Sequence, residues 1–183
     1  MRIAITGHTS GIGQALAKQY EQKGHTIVGL SKRYGDNIRN IPKIIEKVKD
    51  CDMFINNAQE GYAQTDLLFE IYKHWEGVPN KYIMIISTMM TLAPKATLDG
   101  LDMEHYRNQK VALEEATKIL AHRNLWPQIC AVKPGEVHTG DHSSSKAVAV
   151  DQWAETLVKI LELAGPTMKV YEISLGVDYT NES

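Results

Sequence analysis

Residues 1–13 read Met1-Arg2-Ile3-Ala4-Ile5-Thr6-Gly7-His8-Thr9-Ser10-Gly11-Ile12-Gly13, and how this stretch folds decides the rest. Arg2–Ile5 is too short for a helix; its apolar, β-branched character is that of a strand buried in a parallel sheet. Thr6 and Gly7 end it. From Ile12 onward Ile12, Ala15, Leu16 and Tyr20 recur at helical spacing as far as Gly24, which sits where a helix C-terminal glycine belongs. The glycines therefore fall between a strand and a helix N-terminus. Unpaired N–H groups and about half a positive charge favour an anion there, and the missing Cβ lets a pyrophosphate reach the backbone. Gly7, Gly11 and Gly13 follow GxxxGxG rather than GxGxxG, so it is the strand–turn–helix context that points to a nucleotide.

Moving outward, His25–Leu30 reads as a second strand, parallel to the first through a right-handed crossover. Ser31, Lys32 and Arg33 follow it. In such folds the residues after the second strand meet the adenosine ribose, where a carboxylate accepts from a 2′-hydroxyl. A hydroxyl and two cations suit a 2′-phosphate instead, so NADP is expected over NAD; the bland alternative is a solvated basic turn. Pro42 opens a helical pattern with Ile44, Ile45 and Val48, and Asp52–Ile55 is a third strand entering Asn56-Asn57-Ala58-Gln59. Thr65–Trp75 reads as a helix, and Tyr82–Ile86 as a central strand covered on both faces and ending at Ser87-Thr88. After a linker from Met89 to Met103, a helix from Glu104 carries Tyr106 and Lys110 on one face. Gln128–Val132 is a strand and 133–139 a loop; Asp151 is expected to cap a helix striped by Trp153, Leu157, Ile160, Leu161 and Ala164, before a last strand Met168–Leu175.

The 183 residues suit one domain, and 43% hydrophobic and 23% charged residues with a net charge of -2 are ordinary for a globular protein, giving no case for nucleic acid or anionic membrane as partner. With no basic leader and no long apolar window, a cytoplasmic location is expected. Cys51 and Cys130 read as buried reduced thiols. His138, Asp141 and His142 carry ligating side chains in one loop, but no metal is expected.

Thr6-Gly7-His8-Thr9-Ser10-Gly11-Ile12-Gly13, Asn56-Asn57-Ala58, Ser87-Thr88, Tyr106-Arg107-Asn108-Gln109-Lys110 and Pro134-Gly135-Glu136-Val137-His138-Thr139 occur in an order and spacing that resemble the short-chain dehydrogenase/reductase family. The resemblance spans nearly the whole chain. It implies a Rossmann-type doubly wound, mainly parallel α/β sheet over 1–183 with a small substrate region around 89–103 and 139–150. It also implies hydride transfer between NADP(H) and a carbonyl/alcohol substrate. Tyr106 would be the general acid/base, its pKa lowered by Lys110, which also holds the nicotinamide ribose; Ser87 or Thr88 would bond the substrate oxygen. Gly7, Thr9, Ser10, Gly11, Ile12, Gly13, Asn57 and Ala58 would surround the cofactor with Ser31, Lys32 and Arg33, and Pro134, Val137 and Thr139 would seat its carboxamide. A homodimer or homotetramer is implied. Departures accompany the resemblance: the chain is short, with the second αβ unit reduced between Arg33 and Pro42. Gln59 replaces a glycine, and no match for the family's extra catalytic Asn lies between Thr65 and Trp75. The rival expectation is an NADP(H)-binding sensor or scaffold with little catalysis.

Overall fold

Uninterrupted apolar runs become neighbouring strands because a parallel sheet covered on both faces has no polar side to display. The structure is a computed structural model that describes residues 1–98, 100–140, 147–164 and 168–176. Along it β1 (Arg2–Thr6), α1 (Gly11–Gln22), β2 (Thr26–Leu30), α2 (Ile41–Val48), β3 (Met53–Asn56), α3 (Ala63–Trp75) and β4 (Tyr82–Ile86) alternate. A two-stranded hairpin, β5 (Thr97–Leu98) with β6 (Leu101–Asp102), precedes α4 (Glu104–Ala121) and β7 (Gln128–Pro134). A small parallel pair, β8 (Val137–His138) with β9 (Val148–Ala149), leads to α5 (Val150–Ala164) and β10 (Glu172–Leu175).

The main sheet has the order β10-β7-β4-β3-β1-β2, all parallel. The chain runs outward from β1 to β2 and then crosses back to β3, so the switch point lies between the carboxyl ends of β1 and β3, where open α/β sheets bind ligands. Alternate residues serve opposite faces. Ala4, Phe54, Ile83 and Ile85 pack with Ile44, Leu68, Trp75 and Leu113 of α2, α3 and α4, while Ile3, Ile5, Ile55, Met84 and Ile86 pack with Leu16, Tyr20, Trp153 and Leu157 of α1 and α5. Trp153 belongs to this core, and its indole N–H donates to the Leu175 carbonyl at 3.0 Å. Both cysteines are buried free thiols.

The doubly wound sheet and its reduced edge are as expected: β2 is the outer strand, and α2 alone links it to β3. Elsewhere the boundaries moved. The loop expected over 133–139 is partly sheet, because β7 continues to Pro134 opposite Leu175 and Val137–His138 pairs with Val148–Ala149. Asp151 does not cap α5, which begins at Val150; it lies in the first turn and pairs with Lys18 at 2.6 Å. The linker 89–103 has structure of its own, a 3-10 turn at Met89–Leu92 and the β5–β6 hairpin. Arg107 donates to the Ala93 carbonyl (2.8 Å), and Glu104 accepts from the Ala96 amide (2.9 Å), tying this linker to α4.

The tightest packing is at the first turn. Gly7 has φ +70, and a Cβ on Gly13 would collide with the Gly7 carbonyl oxygen and approach Asn57 Nδ2 to 2.6 Å. The obstacle is backbone, which cannot rotate away. Gly13→Ala should therefore lower the unfolding free energy by about 1–3 kcal/mol, read as a lower urea midpoint at unchanged slope.

Candidate active site

At the switch point the ends of β1 and β3 are tied by side chains rather than by ladder bonds. Thr6 is buried, and its hydroxyl oxygen accepts from the amides of Asn57 and Ala58, both at 2.9 Å. Asn57 Nδ2 returns a bond to the Thr6 carbonyl at 2.9 Å. The Thr6-Gly7, Gly13 and Asn57-Ala58 stretches thereby form one surface. Ser10 is the residue before α1, yet its side chain makes no capping bond, and no acidic residue occupies the first turn with Ile12 and Gly13. A helix end left uncapped and free of carboxylates fits an anion. A Cβ on Gly11 would lie 3.4 Å from Thr139 Cβ, so the 135–139 stretch passes over the glycine turn and brings Thr139 to it. Pro134, just before this stretch, is buried, and Val137 within it is half-buried. Asp141 and His142 lie outside the described residues; among those described, no group of three or more His, Cys, Asp or Glu side chains could hold a metal ion.

At the edge-strand end of the crevice Thr9 Oγ1 is 3.2 Å from Ser31 Oγ, joining the glycine turn to the end of β2. Ser31 is buried and accepts from the Arg33 amide, so its hydroxyl caps the Lys32–Tyr34 turn. Lys32 and Arg33 are exposed. Lys32 faces the Glu60 carboxylate at 3.4 Å, and Arg39 binds the same carboxylate at 2.8 Å. Asp36, two residues beyond this turn in the chain, is buried against Lys43 (3.2 Å) and Lys47 (2.6 Å). Burial alone would raise its pKa, but the bonds from Lys47 and Lys43 outweigh it and hold the carboxyl below its usual range.

At the other end of the crevice stands Lys110. It is buried, and its Nζ donates to the Ile86 carbonyl and to Gln64 Oε1, both at 2.8 Å. Gln64 is itself fixed: its Nε2 donates to the carbonyls of Asn56 (2.7 Å) and Ile86 (3.1 Å), and its own carbonyl accepts from Asn56 Nδ2 (2.8 Å). The ammonium also lies 5.6 Å from the centroid of the Tyr106 ring. Burial pushes the Lys110 pKa down to about 7, an effect that the neighbouring Glu114 charge partly offsets. The lowering expected for Tyr106 is not found: burial raises the phenol pKa above its ordinary value.

The two candidate hydroxyls differ sharply. Ser87 is buried, and its hydroxyl donates to Glu114 Oε1 in a short bond. Thr88 is half-buried, and its Oγ1 accepts from the Met90 amide, leaving its own O–H without a partner among the described residues. Gln59, standing where a glycine was expected, donates from Nε2 to Gln109 Oε1 on α4 at 2.6 Å. Sequence reading missed Gln64, Glu114 and Lys133. Glu114 had a legible signal, since it lies one helical turn beyond Lys110 on the same face.

Residues 3–77 match the model of the NAD dependent epimerase/dehydratase family. Among curated proteins the chain is 23% identical over 174 residues to the 3-ketodihydrosphingosine reductase of Bacteroides thetaiotaomicron. That match covers 75% of this chain but only 64% of the relative's length. The fold superposes on an NADPH-dependent 3-quinuclidinone reductase from Rhodotorula rubra with a TM-score of 0.76 at 17% identity, covering 95% of this chain and 89% of that one. It also superposes on the 3-ketoacyl-(acyl-carrier-protein) reductase from Brucella melitensis complexed with NADH (TM-score 0.71, 14% identity, 94% of this chain and 96% of that one).

The Lys110 environment can be read in solution. With a folded pKa near 7 against an ordinary 10.5, both states bind the proton below about pH 7 and the burial penalty is full. Between those values the unfolded chain binds more protons, so this group makes stability rise with pH. Urea unfolding from about pH 7 to 10 should show the native chain gaining on Lys110→Met as pH rises; parallel curves would contradict a buried, depressed Lys110.

Proposed function

We propose that the chain is a short-chain dehydrogenase/reductase, an NADP-dependent oxidoreductase acting on a carbonyl/alcohol pair, with Tyr106 as general acid/base. One observation carries the reading: Lys110 Nζ is held by the Ile86 carbonyl and Gln64 at the carboxyl end of β4, beside the Tyr106 ring. An ammonium has three N–H donors. Two are committed to protein, and the third is left for a ribose hydroxyl. When bound, the nicotinamide supplies or takes up the hydride.

The protein's own part is proton handling and orientation. Burial keeps the Tyr106 phenol protonated near neutrality, the form that donates its proton to a carbonyl oxygen as that oxygen gains charge. Thr88 is the hydroxyl proposed to bond the same oxygen, because Ser87 is already committed to Glu114. Thr9, Ser10, Gly11, Ile12 and Gly13 would line the pyrophosphate and ribose, with Asn57 and Ala58 beside them. Thr139, which lies over Gly11, would help seat the carboxamide with Pro134 and Val137. The linker 89–103, tied to α4, is the proposed substrate wall together with the stretch 139–150, of which 141–146 lies outside the described residues. Preference for NADP would come from Lys32 and Arg33, whose charges face an exposed edge; Ser31 supports them by capping their turn.

Tyr106→Phe should lower turnover of a carbonyl panel by about 10²–10⁴-fold while NADPH still binds. Thr88→Ala should lower kcat by about 10²–10³-fold. Retained turnover in Tyr106→Phe would remove the catalytic assignment, and tight NADPH binding with no turnover across the panel would support a sensor instead. Fluorescence titration should show NADPH binding more tightly than NADH; equal affinities would remove the role given to Lys32 and Arg33.

A further inference from the structure

A group of buried charges behind the end of β4 takes no part in the reaction just described. Glu114 is buried on α4, one turn beyond Lys110 and two beyond Tyr106. Both of its oxygens are used. Oε1 accepts from the hydroxyls of Ser87 and Thr91, the latter at 2.9 Å, and Oε2 pairs with Lys133 Nζ of β7 at 3.0 Å. Lys133 is buried as well and pairs on its other side with Glu172 of β10 at 3.0 Å. Every partner given to this carboxyl group is a donor.

We propose that Glu114 is a positioning residue of the site: its carboxylate withdraws Ser87 from the substrate, fixes the turn that presents Thr88, and supplies the negative charge that faces Lys110. The withdrawal is direct, since a hydroxyl has one proton to donate and that of Ser87 goes to Glu114. The turn is fixed through Thr91, whose one hydroxyl proton is shared between Glu114 and the Thr88 carbonyl, both acceptors lying at 2.9 Å. Lys110 and Glu114 thus grip consecutive residues of one strand end, the carbonyl of Ile86 and the hydroxyl of Ser87, from successive turns of α4. The charge is the third role. Around Lys110, α4 contributes Tyr106 and Glu114, α3 contributes the neutral amide of Gln64, and the turn Met89–Leu92 contributes no titratable side chain. Beyond Glu114 lie Lys133 of β7 and Glu172 of β10, paired with each other. Glu114 is the carboxylate whose charge supports the Lys110 proton against burial.

The roles of Thr88 and Lys110 rest on the oxidoreductase reading, but the charge role can be tested without it. The chain is labelled with 13C at lysine Cε, and the Lys110 resonance, identified by its loss in Lys110→Met, is titrated by NMR on the protein without cofactor. Glu114→Gln should move that midpoint to lower pH by about one unit, the order expected when an opposite charge leaves the next helical turn, and Glu114→Asp should restore much of it. Glu114→Gln leaves Lys133 with one partner and can fail to fold. The double variant Glu114→Gln/Lys133→Met removes both buried partners and carries the same test. A Lys110 midpoint unmoved in a folded Glu114 variant overturns the charge role. The positioning role has its own readout: Thr91→Val should lower kcat at constant KM, with the Lys110 midpoint unchanged. Unchanged kcat in Thr91→Val overturns that role where Tyr106→Phe is inactive. If Tyr106→Phe is active, the oxidoreductase reading has failed and the Lys110 titration still decides the charge role of Glu114.

Discussion

The bond set around the Thr6 hydroxyl is the constraint on which the ligand crevice depends. β1 and β3 pair as far as Ile5 and Ile55 and then part, because the chain leaves β1 toward α1 on one face and β3 toward α3 on the other. Parting leaves the amides of Asn57 and Ala58 without ladder partners; that of Asn57 also reaches the Ile55 carbonyl at 3.1 Å, while that of Ala58 relies on a side chain. Thr6 satisfies both with one oxygen, and Asn57 reciprocates to the Thr6 carbonyl. The gap between the strands is thereby set at one hydroxyl's reach. Gly13 has to be glycine at that width, since Gly7 and Asn57 already fill the space where a Cβ would go. The glycine turn and the Asn-Asn-Ala turn are therefore a single unit.

Two buried lysines on the far side of the crevice show how local partners decide charge. Lys110 has only neutral acceptors, the Ile86 carbonyl and Gln64, and burial drives its pKa down. Burial acts on Lys133 in the same sense, yet the bonds from Glu172 and Glu114 outweigh it and its pKa rises. One lysine is thus easily discharged and the other is fixed as a cation. A group that must share a donor with a passing ligand is better placed among neutral partners, which do not compete as strongly as carboxylates for its N–H bonds.

Periodicity made the strands and helices legible, because an alternating or uninterrupted apolar pattern is local information. The glycine turn, Asn57, Tyr106 and Lys110 were legible for a related reason, since their spacing along one element already places them on one face or at one strand end. Gln64 was not. The apolar pattern of α3 begins at Thr65, while the helix starts at Ala63 and carries Gln64 on its inner side, held there by the end of β3 and by Ile86. Spacing places Glu114 on the Lys110 face of α4, but its pairing with Lys133 was not legible, because only the meeting of α4, β7 and β10 brings the two charges together. The serine–threonine ambiguity had the same origin: adjacent hydroxyls at a strand end differ only in what packs behind them.

The turn after β2 shows what the reduced sheet edge leaves for the side chains to do. With β2 outermost, the turn after it has no further strand to rest on, and Asp36 takes over that support by drawing Lys43 and Lys47 of α2 onto the turn. The same pairing removes Asp36 as an acceptor for a ribose hydroxyl. Glu60, arriving from the end of β3, does the converse and places a carboxylate against Lys32 and Arg39. A phosphate at this edge therefore meets cations that already have a partner, and its binding is an exchange rather than an addition. Lys32 and Arg39 are both largely exposed, and such pairs are worth about 0–1 kcal/mol. A phosphate with its higher charge and several acceptor oxygens is the stronger partner for Lys32, with Arg33 beside it. For the NADP preference proposed above, Glu60 would tune the edge as well as its cations, since selection of a phosphate there would rest on the difference between two anions at one lysine.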